Sequence, residues 1–435
     1  MNGLLNGVRV LEFGMAWAGP LAARLMGDLG ADVIKIERRD ARGAGRGWGS
    51  QDTAEAERSA WQWGKLPGPT FRSGIFPDAD PGQHPWNRAG IFNKMNRNKR
   101  SLCVDLKVPA GWKVFELLVR SADVLLDNLS PLGVDGLGID AARMQLLNPR
   151  LIRVSMSGFG ATGPDRNNVS YGPVVEGASG LASATGYEGG EPMKMGVAFP
   201  DPVGGLHGAF AVLAALWERE RTGVGTAIDL SQLETYTSIA GELLLQTSVE
   251  GRPPPTRGNR SRRFAPQGVY RCAGENSWIA ITVRSDKEWI AFVEETGVAA
   301  LSSREYASLE GRRVAHDEID AAIGSWTSGF EQGELAERMQ RQGIAVSPVL
   351  TNKGVVEDPH LRERGFIVEW DQPEVGSRTY GGFPIEFSDR DRPQMCPAPG
   401  LGEHNREILE ELGFDAQAVD QMERDGVIAT SPTGP

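Results

Sequence analysis

An aspartate held between two prolines is the residue best placed to do chemistry in this chain. Asp201 stands in Gly196-Val197-Ala198-Phe199-Pro200-Asp201-Pro202-Val203-Gly204-Gly205, after an apolar run and where a helical pattern begins. The prolines fix the approach of the backbone on both sides, and a helix N-terminus favours the ionised carboxylate that nucleophilic attack requires. The same placement suits a helix N-cap, and by position alone capping is the commoner use. Both roles coexist if the second oxygen faces a cleft. Three basic clusters accompany it in loops near strand ends: Lys35, Arg38 and Arg39; Arg97, Lys99 and Arg100; Arg257, Arg260, Arg262 and Arg263. In an acidic chain such placement suits an anionic ligand with phosphates, and a solvated surface cluster is the ordinary alternative. Asn96-Arg97-Asn98-Lys99-Arg100-Ser101 is the densest of these, with amide, ammonium and guanidinium donors able to hold a pyrophosphate.

The elements that must position these groups follow from periodicity. Val8 to Phe13 is a short apolar strand, Leu21, Leu25, Met26 and Leu29 have helical spacing, and Ala31 to Glu37 is a second buried strand. Gly30 separates helix from strand, so the first 37 residues predict one β-α-β unit. Strands joined by a helix pair in parallel. The alternation recurs in a helix over Trp112 to Val119, a strand over Ala122 to Asp127 and a strand over Leu151 to Met156. A doubly wound, Rossmann-like α/β domain over 1–250 accounts for this, with a Gly-, Pro- and Trp-rich insertion at about 39–92. Helices are predicted over Val203 to Glu220 and Gln232 to Val249 before Pro253-Pro254-Pro255, a stiff connector. A smaller α+β domain over 251–345 opens with a hairpin, Gly268 to Cys272 and Trp278 to Val283. Residues 346–435 return with two final helices, Arg406 to Leu412 and Asp415 to Asp425, and a frayed tail.

Composition narrows the function classes. With 40% hydrophobic and 24% charged residues the 435-residue chain reads as globular. A net charge of −11 opposes general nucleic-acid binding. No apolar run reaches the roughly 20 residues of a membrane span, and the start lacks a signal-peptide pattern, so a cytoplasmic location is expected. The three cysteines and five histidines are scattered without ligand spacing, which predicts neither disulfides nor a metal site. No G-x-G-x-x-G follows a strand and no P-loop occurs, which argues against a dinucleotide or a hydrolysed nucleoside triphosphate.

The linear order of motifs resembles family III CoA-transferases, the CaiB/BaiF group that includes formyl-CoA transferase and carnitine CoA-transferase. The landmarks are Leu11-Glu12-Phe13 with Ala18-Gly19-Pro20; Leu29 to Glu37; Asn96 to Ser101 with Asp105-Leu106-Lys107; Ala122-Asp123-Val124 with Asn128; and Asn148 to Ile152. Ser157-Gly158-Phe159-Gly160 with Gly163-Pro164, the Asp201 segment, Arg221-Thr222-Gly223 and Leu401-Gly402-Glu403-His404 complete the order. The resemblance implies an interlocked homodimer that moves CoA between carboxylic acids, with Asp201 as nucleophile through an acyl anhydride and an aspartyl-CoA thioester. It implies a CoA thioester as substrate, no tightly bound cofactor and no metal. For CoA it proposes Ala16, Trp17, Ala18, Arg38, Asn98, Lys99, Arg100, Val104, Lys107 and Asn128; for the oxyanion and a covering loop it proposes Gly204, Gly205, Gly258 and Asn259.

Departures from the pattern direct the substrate expectation. Trp17 stands where formyl-CoA transferase has a glutamine, which disfavours a formyl or oxalyl group and, with the Trp-rich insertion, suggests a hydrophobic, aromatic or branched dicarboxylate. Tyr171-Gly172 stands where the racemase branch has a His-Asp pair, so an acyl-CoA racemase or epimerase is the weaker alternative. A catalytically silent CoA-binding subunit of a heteromer is another. Glu176, one helical turn beyond Gly172, could approach the site, and a solvated helix-face carboxylate is the ordinary expectation.

Overall fold

The computed structural model describes residues 3–39, 76–80 and 82–432, so most of the 39–92 insertion and the last three residues lie outside it. Among the described residues two compact units appear: Met1–Leu181 with Lys194–Leu244 and Arg364–Pro435, and Ala182–Met193 with Leu245–Glu363. The second unit thus takes in residues 346–363, which the sequence reading gave to the returning segment, and a short stretch from the middle of the first.

The first unit is built on a six-stranded sheet: β1 (Arg9–Glu12), β2 (Asp32–Glu37), β3 (Arg100–Cys103), β4 (Val124–Asp127), β5 (Ile152–Ser155) and β6 (Ala227–Asp229). Its order is β3-β2-β1-β4-β5-β6 and every pairing is parallel. This doubly wound order reverses between β1 and β4, where open α/β sheets form a crevice at the carboxyl ends of their strands. Alternating residues feed two cores. Leu11, Ile34 and Leu125 meet the helix Pro109–Ser121 and the two C-terminal helices through Phe115, Leu118, Ile408, Leu409 and Val419. Val10, Val33, Val124, Leu126 and Val154 face the opposite way, onto the helices Ala18–Asp28 and Pro200–Thr222. Each such fully buried side chain contributes roughly 1.5–3 kcal/mol, which fixes strand register because a one-residue slip exchanges the two cores.

The pair of helices on this second face approach closely because small residues line their contact. A Cβ on Gly205 would lie 2.9 Å from Leu21 Cδ2 and 3.0 Å from the Ala18 carbonyl oxygen, and one on Gly208 would lie 3.6 Å from Ala22 Cβ and 2.7 Å from Met156, which follows β5. The helix predicted over Gln232 to Val249 is two helices, Gln232–Ser238 and Gly241–Glu250. An antiparallel hairpin unforeseen from sequence, β10 (Ile367–Gln372) and β11 (Gly376–Gly381), also belongs to this unit.

The second unit holds the antiparallel sheet β7 (Gln267–Arg271), β8 (Trp278–Thr282) and β9 (Ala345–Pro348). Tyr270, Ile279, Ile281, Trp289, Phe292, Ile319 and Leu335 form its core, on one side of the sheet with the helices Asp286–Thr296, His316–Thr327 and Gln332–Arg341. No described helix is long and apolar enough to cross a membrane.

Candidate active site

Asp201 does not cap its own helix. The helix runs Pro200–Thr222 with Phe199 at the N-cap, so Asp201 lies in the first turn, and the capping explanation offered by position falls away. Its carboxylate instead accepts the backbone N–H of Ala18, the first residue of the helix Ala18–Asp28. Trp17, the N-cap of that helix, makes no side-chain cap, so the Asp201 carboxylate satisfies one of the orphan donors there. Two helix starts, far apart in sequence, therefore converge on one acid. Burial raises its pKa to about 6, only partly offset by the Ala18 N–H. The result is a carboxylate that is ionised at neutral pH yet poorly solvated, the condition of a usable nucleophile.

On its other side Asp201 is confined by Gly172. A Cβ at residue 172 would lie 2.2 Å from Asp201 Oδ2 and 2.6 Å from Ala198 Cβ, so no side chain fits there. A side chain at this position would force Asp201 or Ala198 to shift.

The loop that presents Ala18 is tied down by a buried polar assembly. Ala16 adopts φ +56°, an uncommon conformation for a residue with a side chain. The Asn128 amide brackets the adjacent Met15, donating to its carbonyl and accepting from its N–H, both at 2.8 Å. Asn128 follows β4 directly, so this clamp spans the switch point between β1 and β4. Beneath it, Glu12 accepts from Lys35 Nζ at 3.1 Å and from Lys99 Nζ at 2.9 Å, with all three side chains almost completely buried. Lys35 also donates to the Gly14 carbonyl, and Lys99 to the Pro20 carbonyl and Asn96 Oδ1. Burial would raise the Glu12 pKa, but the two ammonium groups hold it below the ordinary value. Burial pushes Lys99 down to about 8 against the opposing pull of Glu12.

These contacts sort the sequence-predicted residues. Ala16, Trp17, Ala18, Arg38, Val104, Lys107 and Asn128 follow the carboxyl ends of β1 to β4. Lys107 is exposed, Arg38 is half-buried, and Val104 is buried with its backbone bridged to Ile428. Asn98, Lys99 and Arg100 enter β3 from its amino end. Lys99 spends its three N–H groups on Glu12, Pro20 and Asn96, which leaves none for a phosphate. Arg100 joins Asp32, Glu407 and Glu411, and Asn98 joins Asp28 and Cys396. Asn98 and Arg100 line a cavity of about 680 Å³ whose walls include neither Asp201 nor Ala18. Arg97, bidentate to Asp28 and wholly buried, and Lys35 are likewise structural cations, as is Arg260, paired with Asp317 and Asp320. The second turn of the Asp201 helix contains Gly204 and Gly205, where N–H groups are spent four residues back; Val203 already donates to Phe199. Their smallness serves helix approach. Gly258 and Asn259 belong to the second unit, where the Gly258 N–H is taken by the Gly186 carbonyl at 2.8 Å.

Two residues have surroundings that the sequence does not announce. Gly172 gives no chemical signal of its own, and Glu176, expected in solvent, is 1% exposed. The solvated reading of Glu176 gives way for a simple reason: its partner is a backbone N–H, that of Met195, which no side-chain pattern announces.

The model of CoA-transferase family III matches residues 5–405, nearly the whole chain. The chain belongs to CoA-transferase family III. It is 30% identical over 94% of its length to succinate–glutarate CoA-transferase of Agrobacterium fabrum, covering 95% of that protein. It is 29% identical over 98% of its length to formyl-CoA:oxalate CoA-transferase of Escherichia coli, covering all of it. Among solved structures, a CaiB/BaiF family protein from Brucella suis shares the fold with a TM-score of 0.79 and 27% identity, over 95% of this chain and 100% of that one. Family III membership makes this chain a CoA-transferase, an enzyme that takes acyl-CoA and carboxylate substrates.

Proposed function

We propose that the protein moves CoA between two carboxylic acids through covalent intermediates on Asp201. The observation that carries this reading is the Asp201 carboxylate itself, desolvated to a pKa of about 6, gripped by the Ala18 N–H and lying beside the β1–β4 switch point. In the first step an Asp201 oxygen attacks the thioester carbonyl and the C–S bond breaks, leaving a mixed anhydride and CoA thiolate. The thiolate then attacks the aspartyl carbonyl, expelling the first acid as its carboxylate and leaving an aspartyl-CoA thioester. A second carboxylate reverses both steps and frees Asp201. Each encounter pairs one nucleophile with one activated carbonyl, and exclusion of water protects the anhydride. Of the first-turn N–H groups of the two converging helices, Ala18 is given to Asp201, Leu21, Asp201 and Val203 are spent on backbone carbonyls, and Pro20, Pro200 and Pro202 have none, which leaves Gly19 as the donor for the oxyanion.

For CoA the reading keeps Ala16 to Ala18, Arg38, Lys107 and Asn128, all past the carboxyl ends of the strands, and gives Asn98 to Arg100 a structural role. On the acyl side, Lys94 Nζ lies 5.8 Å from the centre of the Trp17 ring and has no carboxylate partner among the described residues. A cation resting on an aromatic face beside Ala18 suits the distal carboxylate of a dicarboxylic acid. The relatives from A. fabrum and E. coli carry dicarboxylates in their names, succinate and glutarate in one and oxalate in the other. A homodimer fits the exposed apolar stripe Leu206, Phe210, Leu213 and Trp217 along the Asp201 helix, with Phe210 71% and Trp217 73% exposed in the single chain.

The test is to incubate the protein with an acyl-CoA and hydroxylamine, then locate the hydroxamate by mass spectrometry. Modification at Asp201 supports transfer. Exchange of the α-proton in deuterated water without modification would replace it with racemisation, and neither result would indicate a silent subunit.

A further inference from the structure

Glu176 is a buried acid that the transfer chemistry above does not use. It lies on the helix Gly172–Ala178, which packs against both the Asp201 helix and the helix Gln232–Ser238. Its Oε1 accepts the Met195 N–H at 2.6 Å. Its Oε2 and the hydroxyl of Tyr236, itself 0% exposed, are buried without hydrogen-bond partners among the described residues. Burial, and after it the charge of Glu176, raises the Tyr236 pKa. A polar group kept under such conditions is costly, so its one strong bond must do something.

What that bond restrains is the segment leading into Asp201. Met195, Val197 and Phe199 turn their side chains outward, with 36%, 47% and 38% exposure. Packing therefore does little to hold this stretch. Within it, the Phe199 N–H reaches only to Val197 and the Lys194 ammonium only to Met195. The Ala198 and Phe199 carbonyls accept from Asp201 and Val203 of the helix that follows; beyond that helix, the Met195 bond to Glu176 is the hydrogen bond that ties 194–199 to another element of the first unit among the described residues. One turn earlier on the same short helix, Gly172 presses against Ala198 and Asp201 Oδ2.

We infer that the helix Gly172–Ala178 is a template for the nucleophile, with Glu176 as the positioning residue that pins Met195 and Gly172 as the gauge that sets where Asp201 Oδ2 rests. The segment is held at its start by a hydrogen bond and at its end by close contact, so the carboxylate reaches the Ala18 N–H in one orientation. Tyr236, on the neighbouring helix, is close enough for the charge of Glu176 to raise its pKa. The inference rests on Asp201 being the nucleophile.

The experiment is the rate of hydroxylamine-trapped modification at Asp201, measured with saturating acyl-CoA on the full-length protein, alongside its KM for acyl-CoA. Glu176→Leu removes the acceptor and is expected to slow modification by about 10- to 100-fold with KM within about threefold, as small misplacements of a reacting group cost rate more than binding. Glu176→Gln keeps an acceptor for Met195 and restores the rate to within about threefold. Gly172→Ala, which leaves Glu176 untouched, slows modification and combines with Glu176→Leu less than additively. Wild-type rates in Glu176→Leu or in Gly172→Ala would overturn the inference, as would a Glu176→Gln protein as slow as Glu176→Leu. If Glu176→Leu does not fold, the rates of Glu176→Gln and Gly172→Ala decide alone by the same criteria. Absence of any modification at Asp201 in the wild type would instead remove the nucleophile reading itself.

Discussion

For the proposed first half-reaction, an acid limb follows directly from where Asp201 sits. Attack requires the ionised carboxylate, and burial places its pKa at about 6 where an ordinary aspartate has 3.8. At pH 7 about 90% of the group is ionised and at pH 5 about 10%, so the rate of anhydride formation falls roughly tenfold between them. An aspartate with an ordinary pKa loses less than ~10% over the same interval. The assay is single-turnover release of CoA from acyl-CoA without acceptor acid, which avoids titrating the substrate carboxylate, read with a thiol reagent that works at low pH. The main cause is desolvation, so the apparent pKa should barely move between 0.05 and 0.5 M salt. A rate that stays flat down to pH 4.5, or a midpoint that moves by a unit with salt, would refute the argument. Linkage supplies a second reading. The folded state binds the Asp201 proton more tightly than the unfolded chain, so stability is lost as pH rises from about 3.8 to 6 and the whole penalty is present above. Asp201→Asn is therefore expected to raise the apparent Tm at pH 7.5 and leave it unchanged near pH 3.5. Two pKa units set an upper bound of ~3 kcal/mol, which partial exposure reduces.

Three further outcomes are expected. Lys99→Met strands buried acceptors on Glu12, Asn96 and Pro20 and should cost ~3–5 kcal/mol in chemical denaturation, nearer the lower figure because Lys35 still neutralises Glu12. Gly205→Val drives side-chain atoms into Leu21 and the Ala18 carbonyl, and should cost ~1–3 kcal/mol while raising the pH midpoint of the first half-reaction as Ala18 is pushed from Asp201. Asn128→Ala removes both 2.8 Å bonds to Met15, and should raise KM for acyl-CoA several-fold with a smaller change in kcat, measured by steady-state kinetics.

The sheet was legible because its evidence is local. Val10 and Leu11, Val33 and Ile34, and Val124 and Leu125 send neighbouring residues to opposite cores, and the strand-helix alternation that announces a parallel sheet is written within the first 37 residues. The hairpin β10–β11 was not legible, since its strands carry charged and polar residues and its reversal uses Glu374 at φ +64°, with none of the usual turn pairs. The basic clusters misled for a related reason. A run of cations reports charge but not partners, and the carboxylates that consume Lys35, Arg97 and Lys99 are Glu12 and Asp28, up to 87 residues away.

The proposed nucleophile shows the limit most clearly. Its proline-flanked segment and the family resemblance single out Asp201, yet the surroundings that set its pKa and position are conferred from outside that segment: the N–H of Ala18, the bare Cα of Gly172, and burial between helices beginning at residues 18 and 200. Residues whose role is to be absent, as the missing side chains of Gly172 and Gly205 are, leave no chemical mark in a sequence. Their signal is steric and appears only when the close approach they permit is seen. A site of this kind is better sought by asking which glycines a methyl group would expel than by counting ionisable residues, because the forbidden methyl at Gly172 points straight at the Asp201 carboxylate.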